Sequence, residues 1–136
     1  MDKKELRKAN GDVFFEAERK AGSSFVFVNW IGIQTVETIM MGANLLLTML
    51  RQNPCAAILN SNQELIGPWN DGALFLGSKW APQAKRLGLV YFAHVLAHGI
   101  YGKSSFQLFH QFGQQHLQIG TFATDAEAEA WLLQYR

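Results

Sequence analysis

The chain has 136 residues, of which 49% are apolar and 17% charged, and its twelve basic and eleven acidic side chains leave a net charge of +1. This composition excludes a disordered chain. The balanced charge gives no basic excess that would indicate binding to nucleic acid or to an anionic membrane. The length predicts one domain over residues 1–136, with the charged residues 1–11 as a flexible leader.

The cysteine count and the hydropathy pattern predict a cytoplasmic location. Cys55 is the single cysteine, so no internal disulfide can form, which is typical of proteins in a reducing compartment. The N-terminus lacks the apolar segment of a signal peptide. No uncharged apolar stretch reaches the ~18 residues that a membrane span needs.

The first half of the chain contains a pair of strands and a long helix. Residues 12–19 and 24–32 are rich in aromatic and β-branched side chains and flank a short Gly/Ser connection, which predicts a β-hairpin. Between residues 35 and 52, apolar residues recur every three or four positions. This spacing predicts an amphipathic helix that Thr35 caps and Pro54 ends.

The rest of the chain alternates between strands and helices. The predicted elements are a strand over 55–59, an irregular loop over 60–69, a helix from Asn70 that meets Pro82, a strand over 89–96, a helix capped by Ser104, a strand over 116–123 and a terminal helix capped by Thr124. The order ββαβαβαβα predicts an α/β domain whose five-stranded, mostly parallel sheet has helices packed on it. The side chains expected to be buried are Leu46, Leu47, Phe92 and Trp131.

Two segments carry a resemblance to a known family. One is the turn Trp80-Ala81-Pro82 with Gly88 and the strand LVYFAHV after it, and the other is the strand QIGTFA that leads into TDAEAEAWL. With the element order, these segments resemble the SpoIIAA-like group, which is related to STAS domains and is often described as STAS/SEC14-type. The resemblance implies a bacterial, cytoplasmic module that interacts with a partner or regulates it, without catalysis. It also implies an alternative, a small apolar ligand or lipid bound as in SEC14-type relatives.

The resemblance also suggests a phosphorylation site. STAS antagonists of anti-sigma factors carry a phosphorylatable serine in an Asp-Ser-Ser/Thr-Gly element ahead of a helix. The matching segment here, residues 59–64, contains Ser61 but lacks the acidic residue and the glycine at the matching places. Ser61 is therefore a candidate phosphosite in a segment that departs from the family's pattern.

The stretch AHGIYGKSS, residues 97–105, is similar to a phosphate-binding loop. A Walker A loop reads G-x-x-x-x-G-K-[ST], and here Ala97 stands in place of the first glycine, whereas Gly102, Lys103 and Ser104 match. The loop follows the fourth predicted strand, whereas a P-loop follows the first strand of its fold. Nucleotide binding by residues 97–105 is thus a further alternative, and we expect Lys103 to be solvated instead.

No residues are predicted to be catalytic, to bind a cofactor or to bind a metal. His94 and His98 are four positions apart, but on or near a strand this spacing is roughly 13 Å, too far for one metal ion. No serine lies in a G-x-S-x-G element. We expect a binding protein rather than an enzyme.

The expected contact surface lies at the carboxyl ends of the parallel strands, where α/β sheets meet their ligands. Its candidate residues are Ser61, Asn62, Glu64, Trp69 and Tyr101. Trp69 is expected either to anchor a partner or to fold back onto the core. The expected partner is an unidentified protein or a small apolar ligand, and the formation of a homodimer stays open.

Overall fold

A computed structural model of the chain describes residues 2–19 and 22–135. Its strands are β1 (Asp2–Arg7), β2 (Val13–Arg19), β3 (Val26–Trp30), β4 (Gly32–Ile33), β5 (Ala57–Ser61), β6 (Leu65–Ile66), β7 (Tyr91–Val95) and β8 (Gln118–Phe122). Its helices are α1 (Val36–Gln52), α2 (Asn70–Phe75), α3 (Ala81–Arg86), α4 (Gly102–Gly113) and α5 (Asp125–Leu132). A π-helical turn, Leu76–Trp80, joins α2 to α3 in one continuous helical segment.

The main sheet has six strands in the order β1-β2-β3-β5-β7-β8. β1, β2 and β3 are antiparallel neighbours, and β3, β5, β7 and β8 run parallel to one another. The predicted hairpin and the mostly parallel α/β sheet are therefore confirmed. Strands β4 and β6 form a separate parallel pair.

The N-terminal segment differs from its prediction. Residues 1–11 were expected to be a flexible leader, but residues 2–7 form β1, which pairs with β2 along its whole length. The sheet thus has six strands instead of five. Charged residues are usual in an edge strand because they discourage pairing with other chains, so a charged run is compatible with a strand in this position.

The sheet is covered unequally on its two faces. Helices α1, α2, α3 and α4 cover one face, where side chains such as Val28, Ile58 and Phe92 form the main core. On the other face, α5 packs Ala128 and Leu132 against β5 and β7. The first face holds the larger cluster of buried apolar residues, so it makes the larger hydrophobic contribution to folding.

Most of the predicted core positions are buried. Leu46, Leu47 and Phe92 expose 2%, 6% and 4% of their surface. Trp131 is only half-buried. It packs on the smaller cluster beside α5, where its ring contacts that of Phe122 at a centroid distance of 5.6 Å.

The helical segment changes from π-helical to α-helical geometry just before Pro82. Proline has no N–H to donate, and its ring clashes with the carbonyl of the residue four positions earlier. The π-helical turn ends at Trp80, directly before α3, and Pro82 lies in the first turn of α3. The extra width of that turn accommodates the proline without ending the helical segment.

Candidate functional site

The carboxyl ends of the parallel strands open onto a cleft of about 670 Å³. We call it the carboxyl-end cleft; residues 63–67 form one wall and residues 98–101 the other. The first wall includes β6, and the second is the connection between β7 and α4. The cleft lies where ligands bind in open α/β sheets.

Two of the five predicted surface residues line this cleft. Glu64 and Tyr101 are exposed on opposite walls, as expected for neighbouring connections. Glu64 is held in place through β3, because Nδ2 of Asn29 donates a 2.6 Å hydrogen bond to its carboxylate. The Gly32 N–H donates to the Glu64 carbonyl at 2.8 Å.

The other three predicted surface residues are buried. Ser61 is 1% exposed, Asn62 2% and Trp69 5%. The prediction of an irregular loop over residues 60–69 is wrong in part. Strand β5 continues to Ser61, and β6 lies within the remaining residues. Trp69 therefore packs inward and is not an exposed anchor.

The burial of Ser61 bears on its candidacy as a phosphosite. Its hydroxyl lies on the sheet face that α5 covers, at the end of β5. A kinase could reach this hydroxyl only if the end of β5 opened. Phosphorylation of Ser61 in the folded chain would also place a charge in a buried position, which is costly without a partner.

Sequence reasoning missed three exposed isoleucines beside the cleft. Ile33 is 63% exposed, Ile66 59% and Ile100 84%. Ile33 and Ile66 are paired in register between β4 and β6, and Ile66 and Ile100 line the cleft together. With Tyr101, which is 47% exposed, these residues form a contiguous apolar surface that we call the isoleucine patch. The available signal was Ile66 beside Gly67-Pro68, an apolar residue at a turn.

A buried polar cluster lies beneath the cleft, between β3, β5 and β7. Trp30 Nε1 donates to Asn60 Oδ1 at 2.8 Å, and Asn60 Nδ2 lies 3.2 Å from His94 Nδ1. The same amide group donates to Asn62 Oδ1 at 3.3 Å. Backbone pairing from the Asn62 N–H to the Val95 carbonyl, 3.0 Å, completes the connection to β7.

His94 is a core residue of this cluster. Burial lowers the pKa of His94 from 6.5 to about 3, so its imidazole is neutral at physiological pH. Its Nε2 and the Nε1 of Trp69 are buried and have no hydrogen-bond partner among the described residues. A cavity of about 10 Å³ beside Trp69 and Asn60 has room for about one water molecule.

This cluster does not have the chemistry of a metal or catalytic centre. Within residues 2–19 and 22–135, no group of three or more His, Cys, Asp or Glu residues is placed to hold a metal ion. His94 is 1% exposed, so solvent scarcely reaches its imidazole. Its hydrogen bond to Asn60 gives it a structural role in the core.

The segment similar to a phosphate-binding loop leads directly into α4. The helix begins at Gly102, two residues before the predicted cap at Ser104, whose hydroxyl donates instead to the Tyr101 carbonyl at 3.2 Å. Gly102 lies so close to the Ala97 carbonyl that a Cβ there would be 2.5 Å from its oxygen. The glycine is thus explained by chain packing, and Lys103 is exposed as expected.

Comparison with known proteins gives a structural neighbour. No protein-family model matches the chain, and no curated protein matches it. The crystal structure of an uncharacterized protein of the DUF3478 family from Shewanella loihica, described as having a SpoIIAA-like fold, aligns with a TM-score of 0.59. The alignment covers 87% of this chain and 91% of that one, with 20% sequence identity. The chain therefore has a SpoIIAA-like, STAS-type fold, and the likeness establishes the fold alone.

Proposed function

We propose that this chain is a non-enzymatic interaction module that binds a protein partner through the isoleucine patch. The observation that carries the proposal is the exposure of Ile33, Ile66 and Ile100 on one contiguous surface. Large apolar side chains that cluster in solvent, rimmed by polar residues, mark interaction sites in folded proteins. Glu64 and His98 supply such a rim at the cleft.

The geometry of the patch supports a protein partner. Ile66 and Ile100 lie on opposite walls of the cleft, so an apolar side chain of a partner that enters the cleft would lie between them. Buried apolar anchors of this kind contribute most of the binding free energy at protein interfaces. The carboxylate of Glu64, fixed by Asn29, would orient a donor group of the same partner.

The alternative of a small apolar ligand or a lipid has less support. On the main-core face of the sheet, aromatic residues pack against one another and do not line an internal cavity. Phe92 and Phe109 have ring centroids 5.1 Å apart, and Phe106 packs on His94 at 4.7 Å. Native mass spectrometry of the purified chain tests this alternative, because a retained lipid would favour it.

We also propose a cytoplasmic location. The support is the single cysteine, Cys55, whose thiol is free and buried. In the described part of the chain, no helix has the length and hydropathy of a bilayer span. Fractionation of cells that produce the protein would check the location.

The decisive experiment compares two double variants. In Ile66→Ser/Ile100→Ser the patch loses two apolar side chains, and in the matched control Met41→Ser/Leu74→Ser two exposed apolar side chains are removed from the helical face. Proteins captured from lysate by the wild type are identified, and each candidate is then titrated against all three purified chains. We expect the patch variant to bind roughly tenfold more weakly or worse, with the control unchanged.

The outcomes separate the hypotheses. Equal affinities for the patch variant and the wild type would remove the isoleucine patch from consideration. Analytical ultracentrifugation distinguishes a homodimer, because a wild type that dimerises and a patch variant that does not would identify a second copy as the partner.

A further inference from the structure

The main sheet ends in two edge strands of unlike composition. At one edge, β1 consists mostly of charged residues, and its register with β2 shifts after Leu6. At the other edge, β8 reads Gln-Ile-Gly-Thr-Phe, with no charge and no proline, and its register with β7 is regular throughout. Charges, prolines and bulges are the features that keep edge strands from pairing with other chains. Strand β8 has none of them.

The free backbone groups of β8 belong to Ile119 and Thr121. The Gln118 N–H donates to the Val90 carbonyl at 2.8 Å, at the start of the pairing with β7. Alternate residues of a parallel strand bond to the same neighbour, so the N–H and C=O groups of Ile119 and Thr121 face away from β7. No backbone hydrogen bond from another strand, turn or loop of the described residues reaches these groups. Thr121 is also exposed.

Two half-buried aromatic rings lie beside this edge and are an independent observation. A Cβ on Gly120, at the centre of β8, would lie 3.0 Å from the Phe122 ring and 3.4 Å from the Trp131 ring. Both rings therefore lie against the middle of the edge strand. Trp131 was expected to be buried, yet it is half-buried in the single chain. Aromatic surface beside unpaired backbone groups is typical of a contact site.

We propose that β8 pairs antiparallel with β8 of a second copy, around a two-fold axis at Gly120. Ile119 would then oppose Thr121 of the second copy and exchange both backbone hydrogen bonds with it, and the symmetry repeats this pair. The two sheets would join into one. The strand is complementary to itself and brings no like charges together, which favours a second copy over an unrelated strand. The rings of Phe122 and Trp131 would lie next to the axis in both copies and cover one another.

This dimer is expected to be weak, because short strands and few side chains form its interface. Interfaces below roughly 1,200 Å² belong to transient complexes, so we expect a Kd on the order of 100 μM. At the low micromolar concentrations of unfolding experiments, the chain would be a monomer. The β8 edge shares no residue with the isoleucine patch, and the proposal does not depend on that patch.

Sedimentation equilibrium from roughly 10 μM to 1 mM, a range around the expected Kd, tests the proposal. The wild type should show a reversible equilibrium between monomer and dimer. In the dimer the two Thr121 side chains would be diagonal neighbours, about 7–8 Å apart, so Thr121→Lys would bring two cations together. This variant should dimerise at least about tenfold more weakly. Thr121→Val is the matched control and should dimerise like the wild type, since it keeps the size, the backbone N–H and the neutral charge.

A second variant and a second measurement localise the contact. Thr121→Pro removes an N–H that faces away from β7, so it should weaken the dimer without removing a hydrogen bond within the chain. In the wild type, the amide chemical shifts of Ile119 and Thr121 should change with protein concentration, whereas those of β1 should not. The proposal would be overturned by a wild type that is monomeric at the highest concentration, or by a Thr121→Lys variant that dimerises as tightly as the wild type. Loss of the dimer in Ile66→Ser/Ile100→Ser, with Thr121→Lys unaffected, would assign the dimer to the isoleucine patch instead.

Discussion

The side-chain amide of Asn60 lies 3.2 Å from Nδ1 of His94, across the pairing of two neighbouring parallel strands. The amide nitrogen is a donor, so His94 Nδ1 accepts and the imidazole proton is assigned to Nε2. The Asn60 oxygen is already occupied by the indole of Trp30 at 2.8 Å. This arrangement needs a neutral imidazole, because a proton on Nδ1 would face the amide hydrogens.

His94 is expected to make the free energy of unfolding depend on pH. Burial lowers its pKa from 6.5 to about 3, so between these values the unfolded chain binds a proton that the folded chain does not. The stability that comes from the neutral imidazole is fully present above pH 6.5 and is lost as the pH falls toward 3. Relative to about pH 7, the loss should be about 2 kcal/mol at roughly pH 5. Urea denaturation at these two pH values would measure it.

Two histidine variants isolate this contribution from that of the carboxylates. His94→Gln should be less stable near neutral pH and should lose most of the difference between the two pH values. His98→Gln is the control, because His98 is exposed, and it should behave like the wild type. The assignment would be wrong if His94→Gln kept the full pH dependence.

Ser105 is expected to matter for stability far more than its neighbour Ser104. The buried Ser105 hydroxyl accepts a hydrogen bond from the Trp69 N–H at 3.0 Å and donates to Asn70 Oδ1 at 2.7 Å. Ser105→Ala would leave a buried N–H without a partner and should cost about 1–3 kcal/mol. Ser104→Ala, at an exposed position, should change stability by less than about 0.5 kcal/mol. Equal midpoints in urea for the two variants would contradict this role.

Gly77 is expected to tolerate no side chain. A Cβ at this position would lie 2.6 Å from the Phe109 carbonyl oxygen, where the π-helical turn packs against α4. Backbone atoms of α4 cannot move aside without disturbing the helix, so Gly77→Ala should destabilise by about 1–3 kcal/mol. The cost of the clash should exceed the gain of about 1 kcal/mol that alanine has over glycine in helix propensity. Thermal unfolding of Gly77→Ala beside Lys79→Ala, at an exposed position in the same turn, would measure it.

The elements that the sequence predicted well are those whose signals are local. Helix α1 spans Val36–Gln52, and Thr35 caps it through its hydrogen bond from the Thr38 N–H. The apolar stripe and the cap both lie within the helix itself, so nothing distant can override them. The hairpin of β2 and β3 was likewise predictable from neighbouring residues.

The candidate site was harder to predict because its residues depend on distant contacts. Trp69 is buried by a fold in which Ser105, 36 positions away, accepts a hydrogen bond from its backbone N–H. Ile33 and Ile66 become neighbours only when β4 pairs with β6. Neither contact leaves a periodic pattern in the sequence, and single apolar residues in short strands resemble core residues until the fold shows them exposed.

The final prediction concerns β1, the strand that was expected to be a flexible leader. Removal of residues 1–8 should lower the free energy of unfolding by several kcal/mol, on the order of 3. The physical reason is that β1 pairs with β2 along its whole length, and that Leu6, opposite the fully buried Phe15, packs on the main core. Urea denaturation of the truncated and full chains would measure the difference.

Loss of β1 should also change how the chain associates. Truncation would uncover the hydrogen-bonding edge of β2, and an exposed apolar edge strand pairs readily with other chains. Light scattering of the truncated chain should therefore rise with concentration.

Two point variants separate the packing of β1 from its strand pairing. Leu6→Ala should lower the free energy of unfolding by about 1 kcal/mol and Lys8→Ala should leave it almost unchanged, since Leu6 is half-buried and Lys8 exposed. If the truncated chain stays monomeric and unfolds at the same urea concentration as the full chain, the original prediction of a flexible leader would be supported instead.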